Sequence, residues 1–154
     1  MTKEMDHFDR HILQALQNDA GLSQRELADR VGLSQNACWR RVQSLRERKV
    51  ITGQTVRLDP DRLGLGLTVF VMVRTRHHSR EWLQKFRMIV MGIPNVIDFY
   101  RIAGDYDYML KIMSDDMNAF DAIYQRLIEQ IELDSITSYI TMEAIANNRD
   151  LPVR

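Results

Sequence analysis

Apolar residues in the first third of the chain recur at helical spacing, and beyond it the period switches back and forth between helix and strand. Asp6 precedes Phe8, Ile12, Leu13 and Leu16 on one face, with Asp9 three residues on as a variant of the N-terminal capping box; this helix should end near Gly21. Ser23-Gln24-Arg25-Glu26 is a full capping box, followed by Leu27, Ala28 and Val31 at helical spacing and stopped by Gly32. Ser34 caps a third helix running to Lys49, with Cys38, Val42 and Leu45 inward and Gln35, Asn36, Trp39, Arg40 and Gln43 facing away from the core. The interval Gly32-Leu33-Ser34 is the short turn that sets two helices at a steep angle in a helix-turn-helix. Val50-Ile51, Gly53 and the alternating Thr55-Val56-Arg57-Leu58 predict a short hairpin, which would be the wing of a winged helix.

Asp59 to Gly66, with one proline and two glycines, marks a boundary. Leu67 to Thr75 is a Val-rich apolar run, expected to be a strand buried on both faces. Ser79 caps a helix carrying Trp82, Leu83, Phe86, Ile89 and Val90 on one side, ended by Gly92 and Pro94. Val96 to Ile102 and Tyr108 to Met113 are strands joined through Gly104-Asp105. Asp115 and Asp116 start a helix with Met117, Phe120, Ile123, Tyr124, Leu127, Ile128 and Ile131 on its core side, and Ser135 to Glu143 alternates as a last strand. Strand, helix, strand, strand, helix, strand is the order of a ferredoxin-like βαββαβ sandwich, an antiparallel sheet with both helices on one face. The expected class is therefore α+β, with a winged helix-turn-helix over residues 1–58, a linker over 59–66 and a second domain over 67–154. The uncovered sheet face, expected to carry Phe70, Met72, Tyr100 and Tyr139 or their alternating partners, calls for a partner surface. A symmetric homodimer covers it most simply and brings two copies of the third helix together.

Charge sharpens the assignment of the first domain. The whole chain has a formal net charge of +0. Between Ser34 and Arg57, however, Arg40, Arg41, Arg46, Arg48, Lys49 and Arg57 stand against Glu47 alone. A basic stripe on a helix with groove-competent polar residues is the footprint of DNA binding. Gln35, Asn36 and Arg40 suit base edges in the major groove, Asn and Gln toward adenine and Arg toward guanine. Arg41, Arg46, Arg48 and Lys49 suit phosphates. With Ser23 and Gln24 opening the second helix, and Ser34 and Trp39 on the third, the DNA-contact set is Ser23, Gln24, Ser34, Gln35, Asn36, Trp39, Arg40, Arg41 and Arg46. The bland alternative is a packing module whose charges are merely solvated.

Other classes fit less well. With 45% hydrophobic and 27% charged residues, the chain has the composition of a folded domain protein rather than a disordered one. No run approaches the ~18 apolar residues of a membrane span, and the start has no signal-peptide core, so a cytoplasmic location is expected. The single cysteine, Cys38, fits a reducing compartment and reads as inward packing. No nucleophile, base and orienting group can be assembled, so an enzyme is not expected. His7 and His11 stand one helical turn apart and His77-His78 are adjacent, but carboxylate or cysteine partners at ligand spacing are missing, so no metal is expected. The remaining competitor is an amino-acid-binding allosteric module that acts on a protein partner without touching DNA.

Several motifs together resemble the Lrp/AsnC, or feast/famine, family of transcription regulators over nearly the whole chain. They are Asp9-Arg10 with Ile12-Leu13, Ser23-x-x-Glu26-Leu27-Ala28, Val31-Gly32-Leu33-Ser34, Arg40-Arg41-Val42 with Leu45, Leu58-Asp59-Pro60 with Leu63-Gly64, and Gly104-Asp105-Tyr106-Asp107-Tyr108. The resemblance implies a winged helix-turn-helix joined to a ligand-sensing domain of the RAM/ACT-like kind, assembled as dimers that often gather into octamers. It also implies no cofactor and a small-molecule effector, typically an amino acid, held between subunits. The matching positions are Ala103, Gly104, Asp105, Tyr106 and Asp107, with Ser135, Ile136, Thr137 and Ser138 contributed from a neighbour. A zwitterion needs an anion for its ammonium, which Asp105 or Asp107 can supply, and N–H groups for its carboxylate, which the loop around Gly104 can supply. Read without the family, Gly104-Asp105 is a hairpin turn with Asp107 capping it. Ala37-Cys38-Trp39-Arg40-Arg41 and His77-His78-Ser79-x-x-Trp82 resemble a subgroup that controls sulfur amino-acid, especially cysteine, catabolism.

Overall fold

The computed structural model describes residues 4–154, which form two compact units. One holds the chain up to Arg57 together with Ala146–Arg154; the other is Leu58–Ile145.

In the first unit, α1 (His7–Asn18), α2 (Gln24–Val31) and α3 (Gln35–Glu47) are each started by a side chain that satisfies an orphan N–H. Asp6 accepts from Asp9 N, Ser34 accepts from Ala37 N, and Ser23 and Glu26 bond each other's backbone reciprocally. Gly32 closes α2 at φ 71°, a left-handed turn that only glycine adopts without strain, so α3 can leave at a new angle two residues later. Ile12, Ala15, Leu27, Ala28, Val31, Cys38 and Leu45 form the buried centre, with Leu13, Leu16, Val42 and Ile51 packed around it.

The hairpin expected over 50–58 does not form. That stretch contains no strand and is largely exposed, its start tied down by Val50 N and Ile51 N donating to Leu45 O and its middle by Gln54 Nε2 donating to Ala20 O. The alternation Thr55-Val56-Arg57-Leu58 has no second strand to pair with, and period two builds a sheet only where a ladder partner exists. The wing is thus an extended loop. The last nine residues of the stretch expected as the second domain, 67–154, group by their contacts with the first unit. Gln17 explains the difference: its side-chain amide donates to Leu151 O at 3.0 Å and accepts from Leu151 N at 2.7 Å, as a neighbouring strand would.

In the second unit, Asp59 folds the expected linker into a 3₁₀ turn, Asp61–Leu63, by accepting from Asp61 N and Arg62 N. Then come β1 (Leu67–Arg74), α4 (Arg80–Met91), β2 (Val96–Arg101), β3 (Tyr108–Ser114), α5 (Met117–Gln130) and β4 (Ser135–Ile140). The sheet is antiparallel throughout, in the order β2-β3-β1-β4, with the expected βαββαβ succession. Its core is Val69, Val71 and Val73 from β1, Tyr108, Leu110 and Ile112 from β3, Phe86 and Val90 from α4, and Phe120 and Leu127 from α5. Ser79 and Asp116 cap α4 and α5.

Three expectations need correction here. β1 is buried on one face only, its odd-numbered valines covered and Phe70 and Met72 half-exposed, because both helices lie on the same side of the sheet. Met117 and Ile128, expected on the core side of α5, are 50% and 36% exposed. β4 ends at Ile140 rather than Glu143, after pairing with β1 over Val69 to Arg74. The uncovered face carries two cross-strand rows, Tyr100–Met109–Met72–Thr137 and Asp98–Lys111–Phe70–Tyr139. No helix among the described residues is long and apolar enough to cross a membrane.

Two stability tests follow from the first unit. Ser23→Ala removes a capping side chain and should lower the stability of this unit by about 1 kcal/mol, read from its thermal unfolding by circular dichroism. Cys38 is fully buried and burial pushes its thiol pKa up, away from the reactive thiolate. Ellman's reagent should therefore leave it untouched in the folded protein and label it in denaturant; prompt labelling of the native state would contradict the packing.

Candidate DNA-binding surface and effector site

The outward side of α3 is built by what its inward side must bury. With Cys38 and Leu45 at 0% exposure, the helical period turns Gln35, Asn36, Trp39 and Arg40 to solvent, Trp39 at 49%. Gln24 Nε2 donates to Gln35 O at 3.2 Å, so the start of α2 is tied to the start of α3. Ser23 and Ser34 hydroxyls are occupied as caps. Those outward groups can present donors and acceptors to a groove together.

Arg41 and Arg46 are placed differently from the other proposed contacts. Arg41 Nη1 lies 2.7 Å from Asp6 Oδ2 and 2.8 Å from Asp9 Oδ1, and its guanidinium sits over the Phe8 ring. Asp9 is 5% exposed, and Arg48 Nη1 approaches its other oxygen at 3.7 Å. A carboxylate removed from water in this way must be paired. Arg41 is the cation that does so, which locks α3 against the start of α1. The Asp6 carboxyl is held below its ordinary pKa by the Asp9 backbone N–H first and by the Arg41 hydrogen bond second, and Arg41 is raised in turn. The link of α1 to α3 is therefore full above the ordinary carboxylate range and lost as pH falls through the lowered value. Arg46 Nη2 donates to Gln54 Oε1 at 3.4 Å, toward the wing. A shallow hollow of about 310 Å³ along α3 is lined by Arg40, Arg41, Ser44 and Arg48.

In the second unit, residues 102–107 form the loop between β2 and β3. Ile102 N donates to Asp107 O at 2.8 Å to close it, and Gly104 stands at φ 140°, a conformation L side chains rarely adopt. β1 pins the loop from the side. Asp107 N donates to Val73 O, Thr75 N donates to Asp107 Oδ2 at 2.8 Å, and Arg74 Nε donates to Asp105 O at 2.7 Å with its guanidinium over the Tyr106 ring. Tyr106 Oη bonds Thr137 Oγ1 at 3.2 Å, bringing the loop and the start of β4 together within one chain. Hydrogen bonding with the Thr137 and Tyr139 hydroxyls lowers the Tyr106 pKa, while hydrogen bonding to Tyr106 raises that of Tyr139.

Ala103, Gly104 and Asp105 are exposed, as is Ser138; Ser135, Ile136 and Thr137 are half-buried along β4. Arg74 and Thr75 were absent from the expected set. Their signal is not local: they reach the loop only because β1 runs beside β3, and nothing in the sequence around position 74 announces it.

Fold and site together define a two-part regulator, a helix-turn-helix with a basic, polar recognition helix, and a ferredoxin-like sensor with a hydrogen-bonded loop at one end of its sheet. The comparisons agree. A winged helix-turn-helix DNA-binding profile matches residues 5–52 and the Lrp/AsnC ligand binding domain matches residues 68–151. The glutamate uptake regulatory protein of Zymomonas mobilis is 41% identical over 99% of this chain and 93% of its own length. The crystal structure of an AsnC family transcriptional regulator from Agrobacterium tumefaciens superposes with a TM-score of 0.92 at 44% identity, covering 96% of this chain and 97% of that one. A transcriptional regulator from Neisseria meningitidis, solved as its L-methionine complex, superposes with a TM-score of 0.92 at 29% identity, covering 97% of each chain. The chain belongs to the Lrp/AsnC family of DNA-binding transcription regulators.

Two substitutions separate reading from support on α3. Arg40→Ala should weaken binding to a specific DNA site by about tenfold, as loss of a guanidinium contact does, and leave the melting temperature unchanged. Arg41→Ala leaves Asp9 buried short of its main partner and should cost about 2 kcal/mol of stability. Equal melting temperatures for Arg41→Ala and the wild type would return Arg41 to the DNA-contact set.

Proposed function

We propose that this protein binds a specific DNA site through α3 and adjusts that binding when an amino acid occupies the loop at 103–107. The observation that carries the proposal is the joining of that loop to the start of β4 by Tyr106 and Thr137, next to the exposed Asp105 carboxylate and the Arg74 cation. A free amino acid needs an anion for its ammonium and donors for its carboxylate. Asp105 suits the first, since Asp107 already accepts from the Thr75 N–H; the backbone around Gly104, with Arg74 beside it, suits the second.

Gln35, Asn36, Trp39 and Arg40 would enter the major groove, with Arg46 and Lys49 toward phosphates. The uncovered sheet rows, apolar at Phe70, Met72 and Met109, fit a second copy of the chain, which would bring two copies of α3 to one site and set the effector at a boundary between subunits. Larger assemblies such as octamers would follow from further copies. In this role the protein is a cytoplasmic regulator, not an enzyme, and needs no cofactor. The methionine held by the Neisseria protein and the glutamate in the Zymomonas protein's name support an amino-acid effector. The resemblance around Cys38 and His77 adds cysteine to the choice.

Gel-shift titration of upstream DNA with L-methionine, L-cysteine, L-leucine and L-glutamate tests both halves. One of them should change the affinity and also raise the melting temperature, because a ligand confined to the native state stabilises it. Asp105→Asn should abolish that thermal shift while DNA binding without amino acid persists. Amino-acid binding with no affinity for any upstream DNA would favour instead an allosteric module acting on a protein partner.

A further inference from the structure

The chain passes between its two units twice, leaving the first after Arg57 and returning to it after Ile145. The return begins close to the effector loop's partner strand: Thr137 and Ser138 lie in β4, whose last residue is Ile140, and Thr141 N still donates to Thr68 O. From Ser138 to Ala146 is only eight residues, with Met142 and Ile145 almost fully exposed along the way.

The tail does not end loosely. Gln17, near the end of α1, grips both backbone groups of Leu151, at 3.0 and 2.7 Å. Asp150 Oδ1 accepts from Arg57 Nη2 on the wing at 2.8 Å. Leu151 and Val153 lie along a groove of about 820 Å³ that also takes in Leu16, Ile51 and Val56. The seat is specific but shallow. Leu151 and Val56 remain 76% and 74% exposed, and the Arg57–Asp150 pair stands in water, where such pairs are weak. An element held by two backbone bonds and an exposed ion pair, its Leu151 side chain largely exposed, can release without unfolding its unit.

We propose that Ala146–Arg154 is a latch: the chain's own C-terminus, seated on α1 and the wing, carries the effector's influence from β4 to the DNA-binding unit. An amino acid that draws on the start of β4 acts, through a short exposed connector, on a segment bonded to α1 and to the wing arginine. This rests on the effector site proposed above. The latch differs from that site in its residues, and its removal leaves the effector site's own residues in place.

The test compares the full chain, a chain ending at Ile145, and full-length Gln17→Ala. Each is assayed for DNA affinity and for melting temperature with and without L-methionine, L-cysteine, L-leucine and L-glutamate. Both altered chains should keep the thermal shift and bind DNA without amino acid within about twofold of the full chain. An amino acid that changes the full chain's DNA affinity by about tenfold should change theirs by less than about twofold. A retained DNA response in both overturns the latch. Loss of the thermal shift itself overturns it too, since the tail would then serve ligand binding. If no amino acid shifts the full chain in either assay, the effector reading has failed, and amide exchange decides the latch alone. Leu151 N–H should be protected in the full chain and exposed in Gln17→Ala; fast exchange in the full chain overturns it. Protection that disappears on dilution to monomer assigns the seat to a second copy's tail and overturns the latch within one chain.

Discussion

The sensor unit depends on how its central strand is covered. β1 lies between β3 and β4 and buries Val69, Val71 and Val73 beneath α4 and α5, the one side on which it has helices. Because side chains alternate along a strand, this choice of face and register fixes everything else on the sheet. It puts Phe70 and Met72 on the open side, and it brings the end of β1 to the 102–107 loop, where Arg74 and Thr75 hold Asp105 and Asp107 in place. A one-residue slip would expose the valines and detach the loop from the strand that pins it.

The DNA-binding unit obeys a similar rule with a polar component. Leu45, Cys38 and Ile12 are fully buried, but the same interior includes Asp9, whose charge must be answered. Arg41 answers it, at 2.8 Å, while remaining partly exposed beside Arg40. The basic stripe of α3 therefore divides by surroundings: Arg40 is exposed, Arg41 and Arg48 pair with Asp9, and Arg46 bonds Gln54.

The chain joins the two units at two crossings. Two chain crossings, rather than one hinge, connect a loop that suits an amino acid to a helix that suits a DNA groove. A regulator works if ligand favours one arrangement over another, by as much as its affinities for the two differ. Shallow, polar attachments such as Gln17 to Leu151 suit that task better than a large apolar interface, because they break and re-form at low cost.

Local physics made much of this protein legible in its sequence. Capping at Asp6, Ser23, Ser34, Ser79 and Asp116 and the turn at Gly32 depend on neighbours a few residues away, so the helices and the helix-turn-helix could be placed directly. The βαββαβ order followed from alternating periods, and the loop residues from a motif that resembles a family. What only the tertiary structure decided lies in contacts distant along the chain. These are the missing wing ladder, the pairing of Arg41 with Asp9, the approach of Arg74 and Thr75 to the loop, and the return of residues 146–154 to the first unit. In each case the partner is 30 residues or more away or absent, and periodicity carries no information on which distant group a side chain will meet.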